Sequence, residues 1–174
     1  EIAGALAATH GPDGPLYPGL CRGLSNSERR DRRESGQTFA LRLDMAKARQ
    51  RSGALTWRDL NKGDIDARPE TLGDVVLARK DIGTSYHLAV TLDDALQGIT
   101  LVTRGEDLFH ATHLHRLLQA LLDLPVPRWH HHRLLTDTQG RRLAKRHNAL
   151  SLRSLREAGK TPAEVRALAA FPDA

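Results

Sequence analysis

Two side chains in this sequence combine useful chemistry with positions at the ends of apolar runs. Tyr86 opens the run Tyr86-His87-Leu88-Ala89-Val90-Thr91-Leu92-Asp93-Asp94, and Arg104 follows the run Ile99 to Thr103. A phenol donates a hydrogen bond and a guanidinium offers two parallel N–H groups, a pair suited to gripping a carboxylate. The structural alternative is a strand-end tyrosine and an arginine paired with Asp94 or Asp107. Three other groupings carry less by themselves. Tyr17-x-x-x-Cys21 joins an uncommon zinc ligand to a lone cysteine, a residue more often buried as a small hydrophobe. His130, His131 and His132 are adjacent, and neighbours on a strand point to opposite faces, so they do not converge on one ion. Arg142-Leu143-Ala144-Lys145-Arg146 reads alone as a basic turn.

The elements that must carry these residues follow from hydrophobic period. Tyr86, Leu88, Val90 and Leu92 alternate, which predicts a strand. Gln97-Gly98 predicts a turn, and Ile99 to Thr103 a second strand. Leu114, Leu117, Leu118, Leu121 and Leu122 recur at helical spacing and need a surface to pack on. Tyr86 and Arg104 then stand at strand ends, where open α/β sheets bind ligands. Upstream, residues 1–9 read as a helix stopped by Gly11-Pro12-Asp13-Gly14-Pro15. Leu16 to Arg22 is turn-rich. Ser27 to Glu34 is a charged run, either a solvated helix face or an RNA-facing patch. Thr38 to Leu43 and Asp74 to Arg79 read as strands, and Thr56 to Pro69 as a loop or short hairpin. Leu124-Pro125-Val126-Pro127 breaks the chain before a strand near His130 to Leu135, and Asp137 to Gly140 reads as a turn. Two helices are predicted between Ser151 and Ala170, the second capped by Thr161 with Pro162 and Glu164 behind it.

Composition narrows the class. Twenty-six Lys and Arg against 21 Asp and Glu give a net charge of +5, beside nine His. An excess of that size suits a polyanionic partner such as RNA. One cysteine excludes an internal disulfide and fits a reducing cytoplasm. No run approaches the roughly 18 apolar residues of a membrane span. The chain starts at Glu1 and its one Met is Met45, so it is expected to be processed or part of something longer. Its opening lacks the basic and apolar regions of a signal peptide.

The string Tyr86 to Asp94, with Gln97-Gly98-Ile99-Thr100 and Thr103-Arg104-Gly105-Glu106-Asp107-Leu108, resembles the second half of the catalytic domain of class I glutamyl-tRNA synthetases. It is most similar to their shortened relatives, the glutamyl-Q tRNA(Asp) synthetases. Tyr17-Pro18-Gly19-Leu20-Cys21-Arg22 is similar to the second half of those relatives' zinc site, and Arg142 to Arg146 to the Lys-Met-Ser-Lys-Ser loop. In that loop Lys145 takes the second lysine position and Arg142 replaces the first. Ala144 and Arg146 replace both serines.

The resemblance implies an α/β fold, the second half of a Rossmann-type catalytic domain. Residues 1–68 would form an incomplete zinc-insert region, 69–137 the Rossmann half, and 138–174 the signature loop and helical tail. It implies that Tyr86 and Arg104 bind L-glutamate, and that Lys145 and Arg142 bind ATP with Lys145 catalytic, stabilising charge as the α-phosphorus is attacked. Mg2+ would accompany ATP. Tyr17 and Cys21 would ligate Zn2+ in an intact protein, with a Cys-x-Cys pair expected ahead of Glu1. The implied activity is ATP-dependent activation of glutamate and its transfer to queuosine in tRNA(Asp), by a cytoplasmic monomer with no membrane association. Rivals are a piece of an ordinary glutamyl-tRNA synthetase and a non-catalytic RNA-binding module. The family's Gly-rich strand–helix unit is absent from residues 1–40, so this chain alone is expected not to activate glutamate.

Overall fold

The computed structural model describes residues 10–11, 14–136, 139 and 151–169. Contacts divide the chain into two compact units, Glu1–His131 and His132–Ala174. In the first, β1 (His10–Gly11) and β2 (Gly14–Pro15) form a minimal antiparallel pair. The charged run becomes α1 (Asn26–Glu34), closed at its start by a reciprocal capping box between Ser25 and Glu28. None of its residues is buried, as a solvated face requires. The strand expected over Thr38 to Leu43 shrinks to β3 (Leu41–Arg42), paired antiparallel with β6 (Val76–Ala78).

Two features of the main core were not apparent in the sequence pattern. One is α2 (Met45–Ser52), capped by Asp44, whose carboxylate accepts from the Lys47 N–H at 3.2 Å. The other is the conformation of the Tyr86 run. It is a helix, α3 (Tyr86–Leu96), and the expected strand is corrected. Ser85 is in extended backbone and its hydroxyl accepts from Leu88 N–H, an N-cap. At the other end Gly98 takes φ +66°. There the Ile99 N–H reaches the Asp94 carbonyl at 2.9 Å and the Gly98 N–H reaches Ala95 at 3.2 Å, the Schellman pattern. Gln97-Gly98 is therefore a turn as expected, but one that ends a helix.

The principal sheet has the order β5-β4-β8-β7. The polar stretch after Thr56 is a hairpin of β4 (Thr56–Asp59) and β5 (Gly63–Asp66), antiparallel from Thr56↔Asp66 to Asp59↔Gly63. β8 (Arg128–His132) lies beside β4 in parallel, with Asp59 opposite Trp129. The outer neighbour of β8 is β7 (Leu101–Gly105). The leucine-striped helix is α4 (Phe109–Leu121). Its Leu114, Leu117 and Leu118 pack on Met45, Ala48 and Leu72. Leu114 and Leu117 are fully buried, each contributing about 1.5–3 kcal/mol by leaving water. A second cluster joins Trp57, Ala67 and Trp129, with Phe109 against it.

In the second unit, α5 (Leu152–Glu157) and α6 (Pro162–Leu168) match the two helices expected. Thr161 caps α6 reciprocally with Glu164, and Pro162 sits at its start. Gly159, at φ +76°, closes α5 by sending the Lys160 N–H to the Leu155 carbonyl at 3.0 Å.

Candidate functional site

Alternation along β4 puts Trp57 and Asp59 on the buried face. Alternation along β8 does the same for Trp129 and His131, while His130 and His132 are only partly covered. The histidine tract thus splits between two faces, as its spacing required. Two buried groups, a carboxylate and an imidazole, meet in the middle of the sheet: Asp59 Oδ2 and His131 Nδ1 are 2.7 Å apart, both side chains fully out of water. Asp59 also accepts the backbone N–H groups of Asn61 at 2.8 Å, Lys62 at 3.1 Å and His131 at 3.2 Å. Burial opposes its charge, yet the His131 bond and these donors hold its carboxyl below the usual range.

On the next strand Arg104 is half-buried, and its guanidinium meets three acceptors. Nε donates to His131 Nε2 at 3.2 Å, Nη1 to His115 Nδ1 at 3.3 Å and Nη2 to Thr112 Oγ1 at 2.5 Å. Burial lowers its hold on the proton, and Tyr86, Asp94 and Asp107 are near enough to oppose that loss. Tyr86 stands in the first turn of α3, half exposed, its ring 6.0 Å from that of His115. The structure therefore brings the two expected glutamate-binding residues, Tyr86 and Arg104, into one neighbourhood. Arg104 sits next to the end of β7, close to the strand exit expected, whereas Tyr86 comes from a helix start and not from a strand.

His115 is pushed down to about 3 by burial, with Arg104 beside it adding repulsion. Arg104 only donates, so His115 Nδ1 must accept and its Nε2 carries the proton, which points to His87 Nδ1 at 3.1 Å. Burial likewise holds His131 and His113 below the usual imidazole range. His113 is an acceptor too, from the Trp57 indole and the Arg68 N–H, both at 3.2 Å. Asp59, Thr112 and His115 were not singled out from sequence. The usable signal was Asp59 itself, a carboxylate two residues from Trp57 on the apolar face of a strand.

A separate cleft of ≈ 970 Å³ is lined by Tyr17, Cys21, Arg42, Lys47, Asp74 and Lys80, among others. Tyr17 and Cys21 do lie together, but the Tyr17 hydroxyl accepts the Cys21 backbone N–H at 2.8 Å and Arg42 stacks 4.5 Å over its ring. Among the described residues no group of three or more His, Cys, Asp or Glu could hold a metal. Two donors do not make the four-coordinate site of a structural zinc, and the residues described do not fit one. Arg29 on α1 is turned back onto the carbonyls of Cys21, Arg22 and Leu24, while Arg30, Arg32 and Arg33 face water. Arg142 and Lys145 lie outside the described residues.

A mixed sheet flanked by helices, with a helix-borne phenol and an anchored arginine in one neighbourhood, is an α/β domain. The chain belongs to the class I tRNA synthetases (E and Q), catalytic domain, whose family model matches residues 5–170. It is 51% identical over 165 residues to the glutamyl-Q tRNA(Asp) synthetase of Rhodobacter capsulatus, covering 91% of this chain and 57% of that protein. To the glutamyl-Q tRNA(Asp) synthetase of Nocardia farcinica it is 42% identical, over 97% of this chain and 51% of that protein. A crystal structure of a glutamate tRNA ligase from Elizabethkingia meningosepticum, in complex with its amino acid, superposes with a TM-score of 0.59 at 25% identity. That superposition covers 83% of this chain and 28% of the ligase. The fold is thus the class I Rossmann-type α/β fold expected. The chain spans about half the length of the curated relatives it matches. Among the described residues no helix is long and apolar enough to cross a membrane.

Proposed function

We propose that this chain contributes the second half-site of an enzyme that activates L-glutamate with ATP and transfers it to queuosine in tRNA(Asp). The names borne by the Rhodobacter and Nocardia relatives support the substrate and the acceptor. The observation that carries the reading is Arg104, a cation beside the Tyr86 phenol that donates to the neutral acceptors His131, His115 and Thr112, with Asp94 and Asp107 near it. In this scheme one glutamate carboxylate rests on Arg104 and the Tyr86 hydroxyl. The other attacks the α-phosphorus of ATP, and pyrophosphate leaves. A queuosine hydroxyl then attacks the adenylate carbonyl, and AMP departs. Lys145, with Arg142, takes the phosphate charge that grows in the first step, and Mg2+ accompanies ATP.

Tyr17 and Cys21 are assigned to Zn2+ only together with further ligands. Arg30, Arg32 and Arg33 are assigned to phosphates of the RNA, as positioning contacts without sequence readout. The enzyme is assigned to the cytoplasm as a monomer. The test is pyrophosphate exchange by a chimera joining this chain to the segments of the Rhodobacter relative that lie outside the matched 165 residues. Exchange that requires glutamate supports the reading. Equal exchange with glutamine or aspartate contradicts it.

A further inference from the structure

The line of side chains behind Arg104 follows the sheet itself. Asp59, His131 and Arg104 sit on β4, β8 and β7, three strands that are consecutive neighbours. Asp59 is an acceptor-only group that already receives three backbone N–H groups, so the His131 Nδ1 beside it must be a donor. That choice leaves His131 Nε2 as a lone pair. Two groups point at it, Arg104 Nε at 3.2 Å and Thr112 Oγ1 at 3.1 Å. Thr112 accepts Arg104 Nη2 through the same oxygen, so its own proton is left for His131. A neutral His115 accepts from Arg104 Nη1 through its own Nδ1. These contacts orient the guanidinium without neutralising it, because the buried charge, Asp59, stands one imidazole away.

We propose that Asp59, His131 and Thr112 are positioning residues for Arg104. Asp59 sets the tautomer of His131, and His131 with Thr112 fixes the guanidinium, so that its remaining N–H groups and the Tyr86 hydroxyl interacting with them face a carboxylate ligand together. The ligand's identity as glutamate rests on the function proposed above, while the positioning does not. Asp59→Asn is the diagnostic change. Whichever way the amide turns, its NH2 faces donors: the backbone N–H groups of Asn61 and Lys62 on one side, or the backbone N–H and ring Nδ1–H of His131 on the other. The two loop N–H groups cannot change tautomer whereas the imidazole can, so the NH2 settles toward His131 and drives the imidazole proton to Nε2, where it opposes the Arg104 Nε–H. A donor thus meets a donor.

Nitrogen-15 NMR of the histidine and arginine side chains in this chain reads both steps. The parent is expected to show His131 protonated at Nδ1 and a slowly exchanging Arg104 Nε–H. In Asp59→Asn the proton moves to Nε2 and the Arg104 Nε–H exchanges about tenfold faster or more. Thr112→Val, which removes one oxygen and keeps the side-chain shape, gives the same acceleration with the backbone spectrum of α4 retained, so the proposal stays testable if Asp59→Asn unfolds. His131→Gln, with an acceptor near the Nε2 position, recovers slow exchange that His131→Leu loses. A parent His131 protonated at Nε2, or an Arg104 Nε–H that Thr112→Val leaves unchanged, overturns the proposal. In the same samples L-glutamate is titrated. If the relay results hold and Arg104 ignores glutamate, the positioning role stands and the glutamate assignment falls.

Discussion

Replacing Arg104 by lysine keeps the charge and removes the planar fork. The parent guanidinium spends three N–H groups on His131, His115 and Thr112 and has others to offer a ligand. A lysine ammonium has three protons on one nitrogen and cannot meet those three acceptors and a carboxylate together. Losing one charge-assisted contact to glutamate costs about 1.5–3 kcal/mol, or roughly 10- to 150-fold in affinity. Stability falls separately. His131 keeps the Thr112 donor, but the buried Nδ1 of His115 loses its Arg104 partner, a penalty of about 1–3 kcal/mol. For a chain of this length that lowers the melting temperature by roughly 2–4 °C per kcal/mol. Calorimetric titration with glutamate and a thermal melt of Arg104→Lys read the two effects. Affinity within twofold of the parent together with an unmoved melt would refute the reasoning.

Three further outcomes follow from the same geometry. An imidazole whose folded pKa is depressed binds its proton more weakly folded than unfolded, so its stability is full above about pH 6.5 and declines as pH falls toward the folded value. His115, at about 3, with His113 and His131 also lowered, therefore makes denaturant stability fall between pH 6.5 and 4. Each imidazole contributes at most about 1.4 kcal/mol per pH unit, and His115→Gln should flatten the slope. Stoichiometric zinc should shift the melt of this chain by no more than about 1 °C, since Tyr17 and Cys21 leave two tetrahedral positions to water; a larger rise reveals further ligands. In the chimera, Lys145→Ala should lower kcat for adenylation by about a hundredfold with a smaller change in KM, and the reverse pattern would show a ground-state role.

How far the residues announced this arrangement depends on which signals compete. The C-terminal helices were legible because Thr161, Pro162 and Glu164 form a local code that needs no tertiary partner. The leucine stripe of α4 was legible because Leu114, Leu117, Leu118 and Leu121 keep one face, although Leu122, the fifth of the series, falls past the helix end and is exposed. The Tyr86 run reads as a strand because Tyr86, Leu88, Val90 and Leu92 alternate, a spacing that in the helix splits between two sides, with Thr91 turned inward and Tyr86 and Leu92 left exposed. Ser85 before the run and Gly98 after it were the deciding caps, and 11 residues is long for a strand. Met45–Ser52 escaped notice because a short helix with two buried residues, Met45 and Ala48, leaves little periodicity. At the site, Tyr86 and Arg104 stood out by residue type. Asp59, Thr112 and His115 did not, because their role is set by strand order β4-β8-β7, a pairing between residues some 70 positions apart in sequence.

Queuosine dependence tests the central claim most directly. The chimera is given radiolabelled glutamate and ATP with tRNA(Asp) that carries queuosine or lacks it. The proposed function requires label only on the queuosine-bearing RNA, lost in Arg104→Lys and resistant to removal of the 3′-terminal adenosine. Label on tRNA(Glu) at its 3′ end, with no response to queuosine, would contradict it and assign the chain to an ordinary glutamate–tRNA ligase.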